Sequence, residues 1–123
     1  MRAALTRLKR RSDFLRTAAA RRKAALPGLV LQVAPQQRAD GQAALRIGFT
    51  ASRKVGNAVL RNRARRRLRE AAAAIMPAHA MGGRDYVLIA RGDTAERPWN
   101  LLLGDLEAAL KRVQSWRAAG EQA

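Results

Sequence analysis

The sequence predicts an α+β sandwich, a sheet with helices packed on it, and three observations carry that prediction. Residues Ala44 to Ser52 alternate strictly, with Leu45, Ile47, Phe49 and Ala51 on one face and Arg46, Gly48, Thr50 and Ser52 on the other. From Asn57 to Met76 no Pro or Gly interrupts the chain, and Leu60, Ala64, Leu68, Ala71 and Ile75 recur at helical spacing as one narrow apolar stripe. Near the end, Leu102, Leu106, Ala109, Leu110 and Val113 repeat that helical pattern.

Taken in order, residues 1–10 are basic, with Leu5 and Leu8 as the large apolar anchors. Ser12 or Asp13 offers an N-cap to a short helix through Phe14 and Leu15 to about Ala20. Pro27-Gly28 signals a turn, and Leu29 to Ala34, LVLQVA, has the aliphatic content of a strand, with one more strand possible near residues 20–26. PQQRADGQ is a polar turn with its tightest bend at Asp40-Gly41. The alternating strand follows. Asn57 is placed to cap the long helix, which Met76-Pro77 ends. His79 falls in a loop, PAHAMGG, and reads as solvated. DYVLIAR, Asp85 to Arg91, is a third strand, so Thr50 to Asp85 is a βαβ crossover. Asp93 or Thr94 caps a short turn, the last helix runs from about Pro98 to near Trp116, and residues 117–123 form a mobile tail beyond a single domain, 1–116.

Charge decides the class of partner. The chain has 123 residues, 25 of them Lys or Arg against 9 Asp or Glu, for a formal charge of +16. A charge of that size opposes compaction of a lone chain and draws nucleic acid or, as the lesser alternative, an anionic membrane. It is concentrated: Arg53, Lys54, Arg61, Arg63, Arg65, Arg66, Arg67 and Arg69 lie in a stretch with no acid. Asn62, Arg65, Arg66 and Arg69 project away from the apolar stripe, while Arg61, Arg63 and Arg67 flank it. Like charges four residues apart repel, and a polyanion reverses the sign. Guanidinium stays charged and binds phosphate bidentately, so the preference for Arg over Lys favours a phosphodiester partner.

Other chemistries are poorly supplied. There is no Cys, which excludes disulfides, thiolate metal sites and cysteine catalysis. The acids Asp13, Asp40, Glu70, Asp85, Asp93, Glu96, Asp105, Glu107 and Glu121 are scattered over different elements, whereas two-metal phosphodiester hydrolysis needs converging carboxylates. Aromatics are only 4% of the chain, which argues against the aromatic platform of an RNA-recognition motif. No apolar run reaches the length of a spanning helix and no signal-peptide core opens the chain, so a cytoplasmic protein is expected.

The stretch RIGFTASRKVGNAVLRNRARRRLRE, with Arg61-Asn62-Arg63 behind SRKVGNAV, resembles the signature of the protein subunit of bacterial ribonuclease P. LKRRSDF at residues 8–14 and RDYVLIARGD at residues 84–93 resemble the family's other two blocks, and the resemblance covers about residues 7 to 115. It implies a fold like the second domain of ribosomal protein S5, with a left-handed βαβ crossover against the usual rule. The implied function is the non-catalytic protein subunit of an endoribonuclease that removes the 5′ leader of precursor tRNA. Chemistry and the catalytic Mg²⁺ then belong to the RNA subunit, with no membrane or DNA as partner. Arg53, Lys54, Asn57, Arg61, Asn62, Arg63, Arg65, Arg66 and Arg69 are implied to meet the catalytic RNA, Gly56-Asn57 forming the turn into the helix; Arg67 stands where an aliphatic residue is usual. The leader cleft is implied at Phe14, Gln32, Arg46, Gly48, Thr50 and Ser52. This chain has Ala18 and Gln32 where the family carries aromatics, so its leader contacts are expected to be weaker or to rest more on arginine and backbone. The alternative is a structural RNA binder of ribosomal type with no part in processing; a nuclease acting without RNA is the third reading.

Overall fold

The computed structural model describes residues 5–36 and 45–118. The turn expected at Asp40-Gly41 and residues 119–123 of the expected tail 117–123 lie outside them, whereas Arg117 at its start is hydrogen-bonded to the end of the long helix. Five strands form one sheet in the order β1-β4-β5-β3-β2, where β1 is Leu5–Arg7, β2 Arg22–Leu26, β3 Leu29–Pro35, β4 Leu45–Thr50 and β5 Arg84–Ala90. Three helices accompany them: α1 Arg11–Ala19, α2 Ala58–His79 and α3 Trp99–Arg112.

The alternation in the sequence sorts the two faces of this sheet. Leu45 and Ile47 of β4, Tyr86, Leu88 and Ala90 of β5, Leu29, Leu31 and Val33 of β3, and Ala24 and Leu26 of β2 share one core with α2 and α3. Ala64, Leu68 and Ala71 of the α2 stripe are fully buried in it, while Leu60 and Ile75 pack on its edge. Leu102, Leu106, Ala109 and Leu110 bring α3 onto the same layer. Shielding side chains of that size contributes about 1.5–3 kcal/mol each, so this face holds the domain together. α1 lies on the opposite face, across β3 and β5.

β4 and β5 are adjacent and parallel, with α2 between them in the chain, which is the expected crossover. The strand suspected near residues 20–26 is β2, joined to β3 through Pro27-Gly28. Gly28 has no room for a side chain, because a Cβ there would lie 2.5 Å from Asp105 Oδ2, which accepts the Gly28 N–H at 2.9 Å.

Several expectations are corrected. The basic N-terminus supplies a strand: β1 runs parallel to β4 and pairs Leu5 with Leu45 and Arg7 with Ile47. A three-residue edge strand has too little pattern to stand out in sequence, and its partner is 40 residues away. α1 starts at Arg11 with Arg10 in the N-cap position and no side-chain cap, so neither Ser12 nor Asp13 fills that role. Asp13 is drawn instead toward Arg46 (2.8 Å).

Pro77 does not end α2, which continues to His79. Proline removes one donor, the one that would reach the carbonyl four residues back, and Ala73 there is exposed to water that can take the donor's place. The last turn is held from outside: the Arg117 backbone N–H donates to His79 O (2.7 Å) and its guanidinium to Ala80 O (3.2 Å). His79 is therefore helical and half-buried rather than a solvated loop residue. Its ring stacks on Trp116, centroids 4.1 Å apart, and Nδ1 donates to Arg117 O at 2.9 Å. α3 also stops earlier than expected, at Arg112. Gln114 takes a left-handed conformation (φ 57°) and the Ser115 N–H returns to Leu110 O (2.8 Å), a Schellman closure that swings Trp116 out to bridge Ala80.

Candidate nucleic-acid interface

The entry into α2 is built by three short-range devices. Ser52 Oγ accepts the Lys54 N–H (3.3 Å) and opens a single 3-10 turn, Arg53–Val55. Gly56 then adopts φ 143°, open to glycine, and a Cβ there would meet Leu60 Cδ1 at 2.6 Å. Asn57 Oδ1 accepts the Leu60 N–H at 3.0 Å, the cap expected of it.

With the stripe buried, the cations of α2 have one place to go. Arg63 and Arg66 are exposed, Arg61, Arg65 and Arg69 are partly so, and Arg53, Lys54, Asn57 and Asn62 extend the exposed set toward the N-terminal end. Arg65 donates to Asn62 Oδ1 (2.5 Å). Among the described residues, no ion pair joins an arginine of α2 to a carboxylate. The helix dipole does not balance them either, since it favours cations only in the last turn and all of them lie before it. This flank of the molecule is an uncompensated cationic surface of the kind a polyanion neutralises.

Arg67 differs from its neighbours. Its guanidinium turns inward, donates to Thr94 O (2.7 Å) and to Arg97 O, and lies 5.9 Å from the Trp99 ring centroid. It ties α2 to the loop before α3, which gives a packing reason for a cation where an aliphatic residue is usual.

The residues expected on the other surface are brought together only in part. Register places Arg46, Gly48 and Thr50 of β4 beside Asp85, Val87 and Ile89 of β5, and Gln32 of β3 on the far side of Val87. Phe14 covers Gly48 so closely that a Cβ there would lie 2.4 Å from its ring. The missing side chain thus admits the protein's own aromatic. Gln32 and Thr50 remain half-buried on the same face, and Ser52, past the end of β4, is exposed and engaged as a cap.

Arg46 is not a free cation. It reaches Asp13 Oδ2 at 2.8 Å, and its Nε approaches Asp85 Oδ1 at 3.1 Å without the alignment of a hydrogen bond. Arg16 pairs with the other oxygen of Asp85 and donates to Pro35 O (2.7 Å). Asp85 is fully buried beneath this pair. Burial pushes its carboxyl above the usual carboxylate range, against the opposing pull of Arg46 and then Arg16. The cluster fastens α1 to the sheet and so sets one wall of the cleft.

Beside it opens a cavity of about 580 Å³, lined by Thr6, Arg7, Leu8, Lys9, Arg10, Asp13, Arg16 and Arg46. Arg7, Lys9 and Arg10 were given no role from sequence. Their charge is visible in the sequence, but only the pairing of β1 with β4 sets them around one cavity with Arg46.

Comparison with known proteins identifies the family and the fold. The Ribonuclease P family model matches residues 3–114. The ribonuclease P protein component of Paramagnetospirillum magneticum is 66% identical over 114 residues, covering 92% of this chain and 86% of that protein. Its counterpart in Ruegeria pomeroyi is 50% identical over 109 residues, covering 88% of this chain and 86% of that one. The solved Staphylococcus aureus RNase P protein superposes with a TM-score of 0.74 at 27% identity, covering 90% of this chain and 97% of that one. On the match of sequence and of fold, this chain belongs to the family of bacterial ribonuclease P protein components.

Proposed function

We propose that the chain is the protein subunit of a cytoplasmic ribonuclease P that matures the 5′ end of tRNA, with two RNA-facing surfaces. The cationic flank of α2, with Arg53 and Lys54 before it, docks on the catalytic RNA. The face of β4 and β3 beside α1, from Phe14 to Gln32 and Thr50, guides the 5′ leader of precursor tRNA. The observation that carries this reading is the set of α2 guanidiniums unpaired by any carboxylate among the described residues.

The chemistry is assigned to the partner. Among the described residues no three His, Asp or Glu side chains come together as metal ligands. Asp13, Asp85 and Asp105 are engaged with Arg16, Arg46 and Arg97. That distribution supports Mg²⁺ held by RNA phosphates, where it would stabilise the leaving and attacking oxygens. The protein's part is to neutralise phosphate repulsion and to orient the leader, which lowers the Mg²⁺ concentration the RNA needs.

Reconstitution tests this. The chain mixed with a bacterial ribonuclease P RNA and a 5′-extended precursor tRNA should stimulate cleavage at low Mg²⁺, with no cleavage by protein alone. Absence of stimulation at every salt concentration would point to a structural RNA binder, and cleavage without the RNA would move the chemistry to the protein.

A further inference from the structure

Trp99, the first residue of α3, is 40% exposed although it is one of only two tryptophans in the chain. Its surroundings are prepared on one side and open to charge on the other. Arg67 lies over the ring at 5.9 Å, and its guanidinium is held there by donating to the carbonyls of both Thr94 and Arg97. At 100° per residue, Arg63 stands one turn before Arg67 on the same edge of α2, with Arg66 beside it. Both are exposed, and neither is paired with a carboxylate among the described residues. Val59, 74% exposed, continues that edge toward the start of the helix.

An indole face backed by a fixed planar cation and bordered by free guanidiniums has the parts of a stacking platform for a single-stranded base. The ring supplies the apolar face, and the neighbouring arginines supply phosphate contacts on either side of the stacked nucleotide. We propose that Trp99 stacks on an unpaired nucleobase of the RNA docked along α2, while Arg63 and Arg66 hold its adjacent phosphates. This rests on the RNA-docking reading above and extends the docking surface past α2 onto α3. Charge complementarity selects RNA over an apolar protein segment, since docking one of those here would bury Arg63 and Arg66 without partners.

The test uses the Trp116→Phe chain, which leaves Trp99 as the sole tryptophan, titrated with a bacterial ribonuclease P RNA. Emission from Trp99 should be quenched and shielded from acrylamide as the complex forms. Trp99→Ala should weaken binding by roughly five- to a hundredfold, without changing the salt slope, because stacking releases no counterions. Trp99→Phe should recover most of the affinity. Trp99→Leu keeps apolar bulk against Arg67 and so should keep the melting temperature while losing affinity; wild-type affinity in that variant overturns the proposal. Unchanged emission in a complex that still forms by gel shift overturns it and leaves docking by α2 standing. Failure of the unsubstituted chain to bind at all removes both. Quenching that grows with protein concentration in the absence of RNA gives the ring to a second copy of the chain and overturns the proposal as well.

Discussion

Replacing Arg61, Arg65 and Arg69 together by alanine separates docking from folding. The three lie at intervals of four along the flank of α2 that faces the β1–β4 edge, where Arg69 lines a small cavity with Leu5, Thr6, Arg7, Ile47 and Phe49. None is ion-paired to an acid among the described residues, so no buried partner is orphaned by the change. Two like-charge contacts four residues apart, each costing a few tenths of a kcal/mol, are relieved, and alanine is the better helix former. The melting temperature should therefore hold or rise slightly. Binding should respond differently: with roughly 0.7–0.9 log units of affinity lost per log unit of salt for each neutralised phosphate, three lost contacts flatten the slope by about 2–3. Between 50 and 200 mM salt the triple variant should lose roughly 20- to 40-fold less affinity than the unsubstituted chain. Filter binding of a bacterial ribonuclease P RNA across a salt series, with circular-dichroism melting alongside, measures both. Parallel lines in the log–log plot would refute the docking surface. A large fall in melting temperature would show instead that the guanidiniums were holding the fold.

Three further outcomes are expected. Gly48→Ala should push the Phe14 ring from its seat, since the new Cβ would lie 2.4 Å from it; overpacking of this kind costs about 1–3 kcal/mol, and adding Phe14→Leu should restore most of the loss in urea denaturation. Arg67→Ala leaves the carbonyls of Thr94 and Arg97 without their donor. It should lower stability by about 2 kcal/mol in the same assay while altering the salt slope less than Arg65→Ala does. Asp85 carries a sign that can be checked. Burial lifts its folded-state pKa above the ordinary 3.8, so the folded chain holds that proton more tightly than the unfolded one. Its contribution to stability is full below 3.8 and is lost as pH rises through the folded value. Asp85→Asn should remove that segment of decline from a plot of unfolding free energy against pH.

The main surface was legible because its signals are local. A helix of 22 residues repeats its apolar stripe several times, and an N-cap and a glycine turn act within four residues of each other. Once the stripe of Leu60, Ala64, Leu68 and Ala71 is assigned to the core, the outward direction of Arg63 and Arg66 follows from helix geometry alone. The strands of the core were equally readable, since alternation with period two assigns Leu45 and Ile47 to one face and Gly48 to the other before any partner is known.

What sequence by itself determined, then, is which residues face inward along each regular element and that the outward charge is cationic and concentrated on one helix. Tertiary structure decided everything that depends on partners distant in the chain. It set β1 on β4, closed Phe14 over Gly48, enclosed Arg46 between Asp13 and Asp85, and made Arg67, at the edge of the apolar stripe, a tether for the loop before α3. It also carried α2 through Pro77, because Arg117 arrives from the far end of the chain to hold the last turn. The physical reason is common to all of these: a side chain's periodicity reports its own element, whereas its hydrogen-bond and charge partners are chosen by packing, and packing is a property of the whole sheet.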